Sequence, residues 1–364
     1  MNKTVTKIAI ALIIGGIFFL LAFNFFSIKQ AYLIGIVAFM VTLWTNEALP
    51  LGVVSLFPII LFPAFGILST NATSINYSKS IIFLFLGGFM LAIAVEKTNL
   101  HKIIADKILS LFPPTPKGII YSLLITSAIL SSFLSNTTTA LLLLPIGMFI
   151  TENKDLKMRF VLSIAYGASI GGIITPIGTP PNLILLGIME DKGLEMIPFL
   201  KWIFMIFPLA LIMLIFTGWI LSIGAKNIPL KREMFEYKIT KEQKKVSFAI
   251  IALILVLLIN TPIKPYYEGL GLNEKGILLF FGLLMFMPPF NILEWEDSKK
   301  IPFEIIFLFG AGFAIAKAFS NTKLDHAIAE YLLKTGDISP YLILLLIAAL
   351  ITFTTEITSN TALT

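Results

Sequence analysis

From Ile8 to Phe26 the chain carries no charged residue. That run of about 19 residues is long enough to cross the hydrocarbon of a bilayer as a helix. Apolar runs return at 31–48, 52–68, 80–96, 160–190, 198–224, 246–262, 276–289 and 303–320. One soluble core has no use for so many, whereas a bilayer replaces water as the solvent for their outer faces. Composition agrees: 13% of the 364 residues are charged, about half the share in a soluble domain, which is roughly a quarter. The sequence therefore predicts an all-α polytopic membrane protein. The residues after the first run, Phe25-Phe26-Ser27-Ile28, are too bulky for a signal-peptide cleavage site, so that run is expected to stay as a first helix.

Several function classes fall away. The chain has no cysteine and two histidines, His101 and His326. Disulfides, thiol catalysis and Cys- or His-based metal sites are thus disfavoured. No nucleophile–base pair is recognisable, and the chain is expected not to be an enzyme. The net charge of +6 reads as basic cytoplasmic loops and not as a nucleic-acid footprint.

Two further apolar segments, 118–150 and 339–364, differ in kind. Each holds a polar triplet, Ser135-Asn136-Thr137 and Ser359-Asn360-Thr361. They read as re-entrant hairpins, because irregular backbone at membrane depth is tolerated only inside protein or beside a water-filled cavity. With both hairpins returning to their own side and the N-terminus cytoplasmic, eighteen of the 27 Lys and Arg residues fall on the cytoplasmic side, as the positive-inside rule asks. The basic stretch 226–245 then reads as a cytoplasmic linker.

An internal repeat organises the rest. At a constant offset of 224 residues, Ile81-Ile82-Phe83-Leu84-Phe85 falls on Ile305-Ile306-Phe307-Leu308-Phe309. Gly88-Phe89 falls on Gly312-Phe313, and the two Ser-Asn-Thr triplets coincide without a gap. The chain is expected to cross the membrane five times between the copies. Five is odd, so the repeat is inverted, as in many secondary transporters with a midplane site. The expected domains are an extra helix at 1–30, a first repeat at 31–225 with its hairpin at 118–150 and a broken helix at 160–190, the linker at 226–245, and a second repeat at 246–364. That second repeat is expected to be C-terminally incomplete, truncated in its hairpin, because positions equivalent to 141–224 have no counterpart after Thr364. A chain so cut is expected not to transport by itself.

The triplets suit solute binding. Ser and Thr hydroxyls and the Asn amide offer oxygens to a cation and protons to an anion. Helix ends at a hairpin tip add free N–H groups for anions and free C=O groups for cations. Ser131 and Thr355 each lie four residues before a triplet serine and would share its helix face. They are natural further oxygen ligands, and they would serve equally as caps or packing groups. In Gly171-Gly172-Ile173-Ile174-Thr175-Pro176-Ile177-Gly178-Thr179-Pro180-Pro181-Asn182 the prolines predict an interrupted helix near Gly178-Thr179-Pro180, with carbonyls left free. A simple proline kink explains the same pattern. No Asp, Lys or Arg is expected at mid-membrane depth, which disfavours proton coupling through a central carboxylate.

The doubled Ser-Asn-Thr triplet, with Gly-Thr-Pro-Pro-Asn after the first, resembles the divalent anion:sodium symporter family, bacterial sodium-dicarboxylate cotransporters among them. The resemblance covers essentially the whole chain. It implies an elevator-type carrier that works as a homodimer in the cell's inner (plasma) membrane. Its cargo would be a small di-anion, most readily a C4-dicarboxylate such as succinate, malate or fumarate, moved with Na⁺. It implies that Ser135, Asn136 and Thr137 share the substrate with Ser359, Asn360 and Thr361. It implies one Na⁺ at Ser131, Ser135, Asn136 and the backbone near Gly178, and a second at Thr355, Ser359 and Asn360. The alternatives are a sulfate or other oxyanion transporter, a Na⁺-independent dicarboxylate exchanger, and a non-transporting membrane scaffold.

Overall fold

A computed structural model of the chain describes residues 3–225, 230, 239–262, 265–334 and 339–355. Among the described residues the chain is helical, without a β-strand. The order begins α1 Lys3–Phe23, α2 Ile28–Asn46, α3 Leu51–Ser55, α4 Phe57–Ala64, α5 Thr70–Ser74 and α6 Ser80–Lys97. It continues with α7 Leu100–Ser110, α8 Pro116–Ser131, α9 Asn136–Phe149, α10 Lys154–Ile174, α11 Pro180–Asp191 and α12 Phe199–Ser222. The last five are α13 Lys241–Asn260, α14 Glu274–Leu284, α15 Phe303–Asn321, α16 Leu324–Lys334 and α17 Pro340–Thr355. Six helical stretches among the described residues are long and apolar enough to cross a membrane: α1, α2, Thr70–Lys97, α10, α12 and α15.

Some expected boundaries move. The run at 52–68 is two short helices, because Pro58 cannot donate to the Val54 carbonyl and its ring crowds that turn. The basic stretch expected to end at 245 ends earlier. Thr240 and Gln243 form a reciprocal cap, with bonds of 3.2 and 2.8 Å, that starts α13 at Lys241. The short helices α7 and α16 lie outside every apolar run, since charged residues interrupt their pattern.

The repeat recurs in the elements. Adding the same offset of 224 carries the starts of α7 and α8 onto those of α16 and α17, and α6 onto α15 within one residue at each end.

The backbone forms two compact units, 1–82 with 302–364 and 83–301. In the first, Leu33, Met40, Leu43, Phe62, Leu308 and Ala314 belong to one buried core. Asn321 ties α15 to the end of α4 by donating to the Ile67 carbonyl at 3.0 Å. In the second, Ile120, Leu123, Leu143, Phe160 and Ile164 fill the space between α8, α9 and α10. There α8 and α10 meet backbone to backbone. A Cβ on Gly167 would lie 2.4 Å from the Leu124 carbonyl oxygen, and one on Gly171 would lie 2.2 Å from that of Ala128. Arg159 closes the bundle by donating to the Leu221 and Ile223 carbonyls at the end of α12, at 2.8 and 2.7 Å.

Candidate functional site

The residues expected to form the first hairpin fold as two helices, α8 and α9, joined by the tip 132–135. Its second arm begins because Ser135 is extended and its hydroxyl accepts from the Thr138 N–H at 3.1 Å. The helix cap therefore uses the first residue of the triplet. The same hydroxyl donates to Thr138 Oγ1 at 2.8 Å. Ser131 and Ser135 do not share a helix face as expected, since α8 ends at Ser131 and Ser135 opens α9. Ser131, fully buried, instead donates to Asn136 Oδ1 across the tip at 2.7 Å. Thr137 is exposed, while Ser135 and Asn136 are half-buried.

The broken helix lies against this tip. α10 stops at Ile174 and α11 starts at Pro180, so the interruption begins earlier than Gly178. Gly172 is the point of closest approach: a Cβ there would sit 2.7 Å from Asn136 Oδ1 and 3.3 Å from Thr179 Cβ. Gly178 lies on the other side, where its own Cβ would be 2.6 Å from the Gly172 carbonyl oxygen. Ser131, Ser135, Asn136 and Gly178 thus belong to one locus. Thr355 ends α17, and Ser359, Asn360 and Thr361 lie outside the described residues.

A helix leaves its last four carbonyls without partners inside it. In α10 three of them find side chains. Ser132 donates to Gly171 at 3.3 Å, Asn182 to Gly172 at 3.0 Å, and the Trp202 indole to Ile173 at 3.0 Å. Asn182 also donates to the Thr175 carbonyl at 2.8 Å, and Thr175 Oγ1 donates to the Ser132 carbonyl. The carbonyls expected to be free are therefore largely engaged, because Asn182 folds back onto them from the first turn of α11. Ser132, Thr175, Asn182 and Trp202 form a buried bracing set. The prolines around Thr175 and Asn182 signalled the break. The pattern held no sign of the partners Ser132 and Trp202, which only the fold brings near.

The two helix starts differ chemically. By helix geometry the Asn136 and Thr137 N–H groups have no partner within α9, so they are offered to an anion. At the start of α11, Pro180 and Pro181 have no N–H to offer. The C-terminal ends of α8 and α10 bring carbonyl oxygens and a partial negative charge to the same place. The tip thus has an anion-favouring side at α9 and a cation-favouring side beneath it. A cation taking both Ser131 Oγ and Asn136 Oδ1 would require the Ser131 proton to turn away from the amide oxygen.

An apolar, multi-pass helical chain in which a polar hairpin tip meets a broken helix has the build of a secondary transporter, where half-helix ends inside the protein face the solute. Comparison with known proteins carries this further. A family described as "Citrate transporter" matches residues 37–364. The chain is 33% identical to the "Sodium-dependent dicarboxylate transporter SdcS" of Staphylococcus saprophyticus, over 97% of this chain and 75% of that protein. It is 34% identical to the protein of the same name in Staphylococcus aureus strains USA300 and NCTC 8325, with the same coverage. The chain belongs to this divalent anion:sodium symporter family, and with it to transporters and not to enzymes.

Proposed function

We propose that the protein imports small di-anions by symport with Na⁺ across the inner (plasma) membrane, with C4-dicarboxylates such as succinate, malate or fumarate as cargo. The observation that carries this reading is the junction of Asn136, Gly172 and Thr179. One amide there stands between N–H groups that α9 itself leaves without partners and the C-terminal end of α10, with its partial negative charge. Opposite charges bound on its two sides favour one another, and by linkage each raises the other's affinity by the same factor. The relatives' names, sodium-dependent and dicarboxylate, support the ion and the substrate class.

In this proposal Ser135, Asn136 and Thr137 hold the anion, and Ser131, Ser135, Asn136 and the backbone near Gly178 hold a first Na⁺. Ser359, Asn360 and Thr361 have the matching anion role in the second hairpin, with Thr355, Ser359 and Asn360 at a second Na⁺. A cytoplasmic N-terminus, the inverted repeat with halves at 31–225 and 246–364, a homodimer and an elevator-like carriage belong to the same proposal.

Uptake of labelled succinate into proteoliposomes tests it, and such uptake would at the same time overturn the expectation that the chain does not transport by itself. Symport requires uptake driven by an inward Na⁺ gradient and absent with K⁺. Uptake only against internal dicarboxylate would replace symport by exchange. Competition by sulfate as strong as by unlabelled succinate would replace the dicarboxylate by an inorganic anion. The family's description favours a second reading, a tricarboxylate cargo, which strong competition by citrate would support.

A further inference from the structure

We infer that Asn182 is a positioning residue for the cation side of this site, acting through the backbone of Gly172 and Thr175. The inference rests on the proposed Na⁺ coupling and adds a residue to it.

Asn182 is buried on the first turn of α11, and its amide nitrogen donates to two carbonyls, Gly172 at 3.0 Å and Thr175 at 2.8 Å. Both partners are carbonyl oxygens, so the NH₂ end, with its two protons, is the only end that fits. Those two bonds span the gap between α10 and α11 and hold the interrupted backbone in a loop. Each anchored residue reaches the hairpin. The Asn136 amide rests on Gly172, close enough that a Cβ there would meet Oδ1 at 2.7 Å. The Thr175 hydroxyl donates to the Ser132 carbonyl at the tip. Asn182 touches neither proposed solute, yet it fixes the backbone on which Asn136 lies and the strap that holds the tip.

The number of donors matters too. Carbonyl oxygen carries two lone pairs. At Gly172 a proton from Asn182 on one of them leaves the other for a cation and keeps the oxygen from turning away, whereas the Thr175 oxygen is also taken up by the Gly178 N–H at 3.3 Å. Without the amide, the Gly172 carbonyl is a buried acceptor short of a donor, the Thr175 carbonyl keeps only the 3.3 Å bond from the Gly178 N–H, and the tie between α10 and α11 is lost. The affinity for Na⁺ is then expected to fall, while the anion's N–H donors at the start of α9, set by the Ser135 cap, stay in place.

Two variants of the full chain and two readouts test this. The first readout is the rise in unfolding midpoint of the purified protein with Na⁺ against K⁺. The second is the Na⁺ half-saturation of succinate uptake, compared with the KM for succinate at saturating Na⁺. For Asn182→Ala the Na⁺ half-saturation is expected to rise about tenfold, the shift that loss of such bonds implies, with KM changed less than about twofold. Asn182→Asp keeps the shape and reverses the chemistry. Its carboxylate has no proton to give to the two carbonyls it faces, and only its protonated form donates one. Its Na⁺ response is expected to be weak at neutral pH and to recover as pH falls, over a range where the wild type stays flat. This second variant decides the matter if Asn182→Ala does not fold.

An equal loss of KM and Na⁺ half-saturation, or a lower midpoint with an unchanged Na⁺ response, would make Asn182 a structural brace only. Tighter Na⁺ binding by Asn182→Asp at neutral pH would make the position a direct ligand and overturn the positioning role. A wild type indifferent to Na⁺ in both readouts would instead remove the coupling proposal itself, and this inference with it.

Discussion

Gly171 offers the sharpest test of how the hairpin is held. Replacing glycine by alanine in a helix ordinarily stabilises it by about 0.8–1.0 kcal/mol. At Gly171 the added Cβ would fall 2.2 Å from the Ala128 carbonyl oxygen and 2.5 Å from the Ala128 Cα. These are backbone atoms, so no side chain can swing aside. One turn earlier Gly167 meets the Leu124 carbonyl oxygen in the same way, at 2.4 Å. The seam therefore has no slack, and α8 and α10 must part along it. Overpacking of this kind costs about 1–3 kcal/mol, and contact with backbone puts Gly171→Ala toward the upper end. After the propensity gain, a net loss of about 2 kcal/mol is expected. Gly16, on α1, is the internal control, since a Cβ there meets nothing within 4 Å. Gly16→Ala should be neutral or stabilising by up to about 1 kcal/mol. Thermal unfolding of both purified variants, followed by tryptophan fluorescence, separates them. At about 2–4 °C per kcal/mol for a unit of this size, Gly171→Ala should melt several degrees below the wild type. A Gly171→Ala protein as stable as the wild type, beside a well-behaved Gly16→Ala, would refute the close-packed seam.

Arg159→Lys keeps the charge but loses the planar fork that serves two carbonyls and Asp155 together, so about 1–2 kcal/mol of stability should go, seen as a lower unfolding midpoint. Burial raises the pKa of Glu274, and the Phe199 N–H at 2.7 Å offsets this only in part. A carboxyl whose folded pKa is raised contributes stability below its unfolded pKa and loses it as pH rises through the folded one. Glu274→Gln should therefore flatten that fall in an unfolding series from pH 4 upward, and an unchanged slope would clear Glu274 of any part in it. Asn136→Ala should weaken Na⁺ and succinate together in uptake assays, because the amide is proposed to lie between them, and unchanged values for both would sink that assignment. Ser135→Asn retains a capping side chain and should keep the unfolding midpoint within about 0.5 kcal/mol while losing Na⁺ response. Loss of stability alone would leave Ser135 as a cap.

Apolar run length made six of the long helical stretches legible because a bilayer demands length and hydrophobicity from each helix separately, whereas the runs at 52–68, 246–262 and 276–289 are not among those six. The turn between α8 and α9 and the interruption before Pro180 were legible for a related reason: serine, asparagine and proline are out of place inside an apolar run unless the backbone turns there. What the pattern misjudged depended on atoms remote in sequence. The break at Leu56 came from one proline set against one carbonyl, inside a run that hydropathy alone treats as continuous. α7 buries one face, through Leu100, His101, Ala105 and Leu109, and the charged residues of α7 and α16 hid both helices.

The site itself shows the same limit from the other side. Residue type pointed to Ser131, Ser135 and Asn136, and all three meet at the tip, but the partners among them were misassigned. A spacing of four implies a shared face only while the helix continues, and here it ends between Ser131 and Ser135. The decisive neighbours of Asn136 are Ser131, five residues earlier, and Gly172, which only the packing of α8 against α10 supplies. That packing rests on glycines whose role is invisible in one sequence, because a glycine that admits a carbonyl and a glycine that merely bends a chain are written alike. The capping of α9 by Ser135 and a ligand role for the same hydroxyl are likewise compatible: a cap spends one lone pair of the oxygen and leaves another. Structural and functional readings of such a residue are therefore separated by the variants that keep one bond and remove the other, and not by burial or spacing.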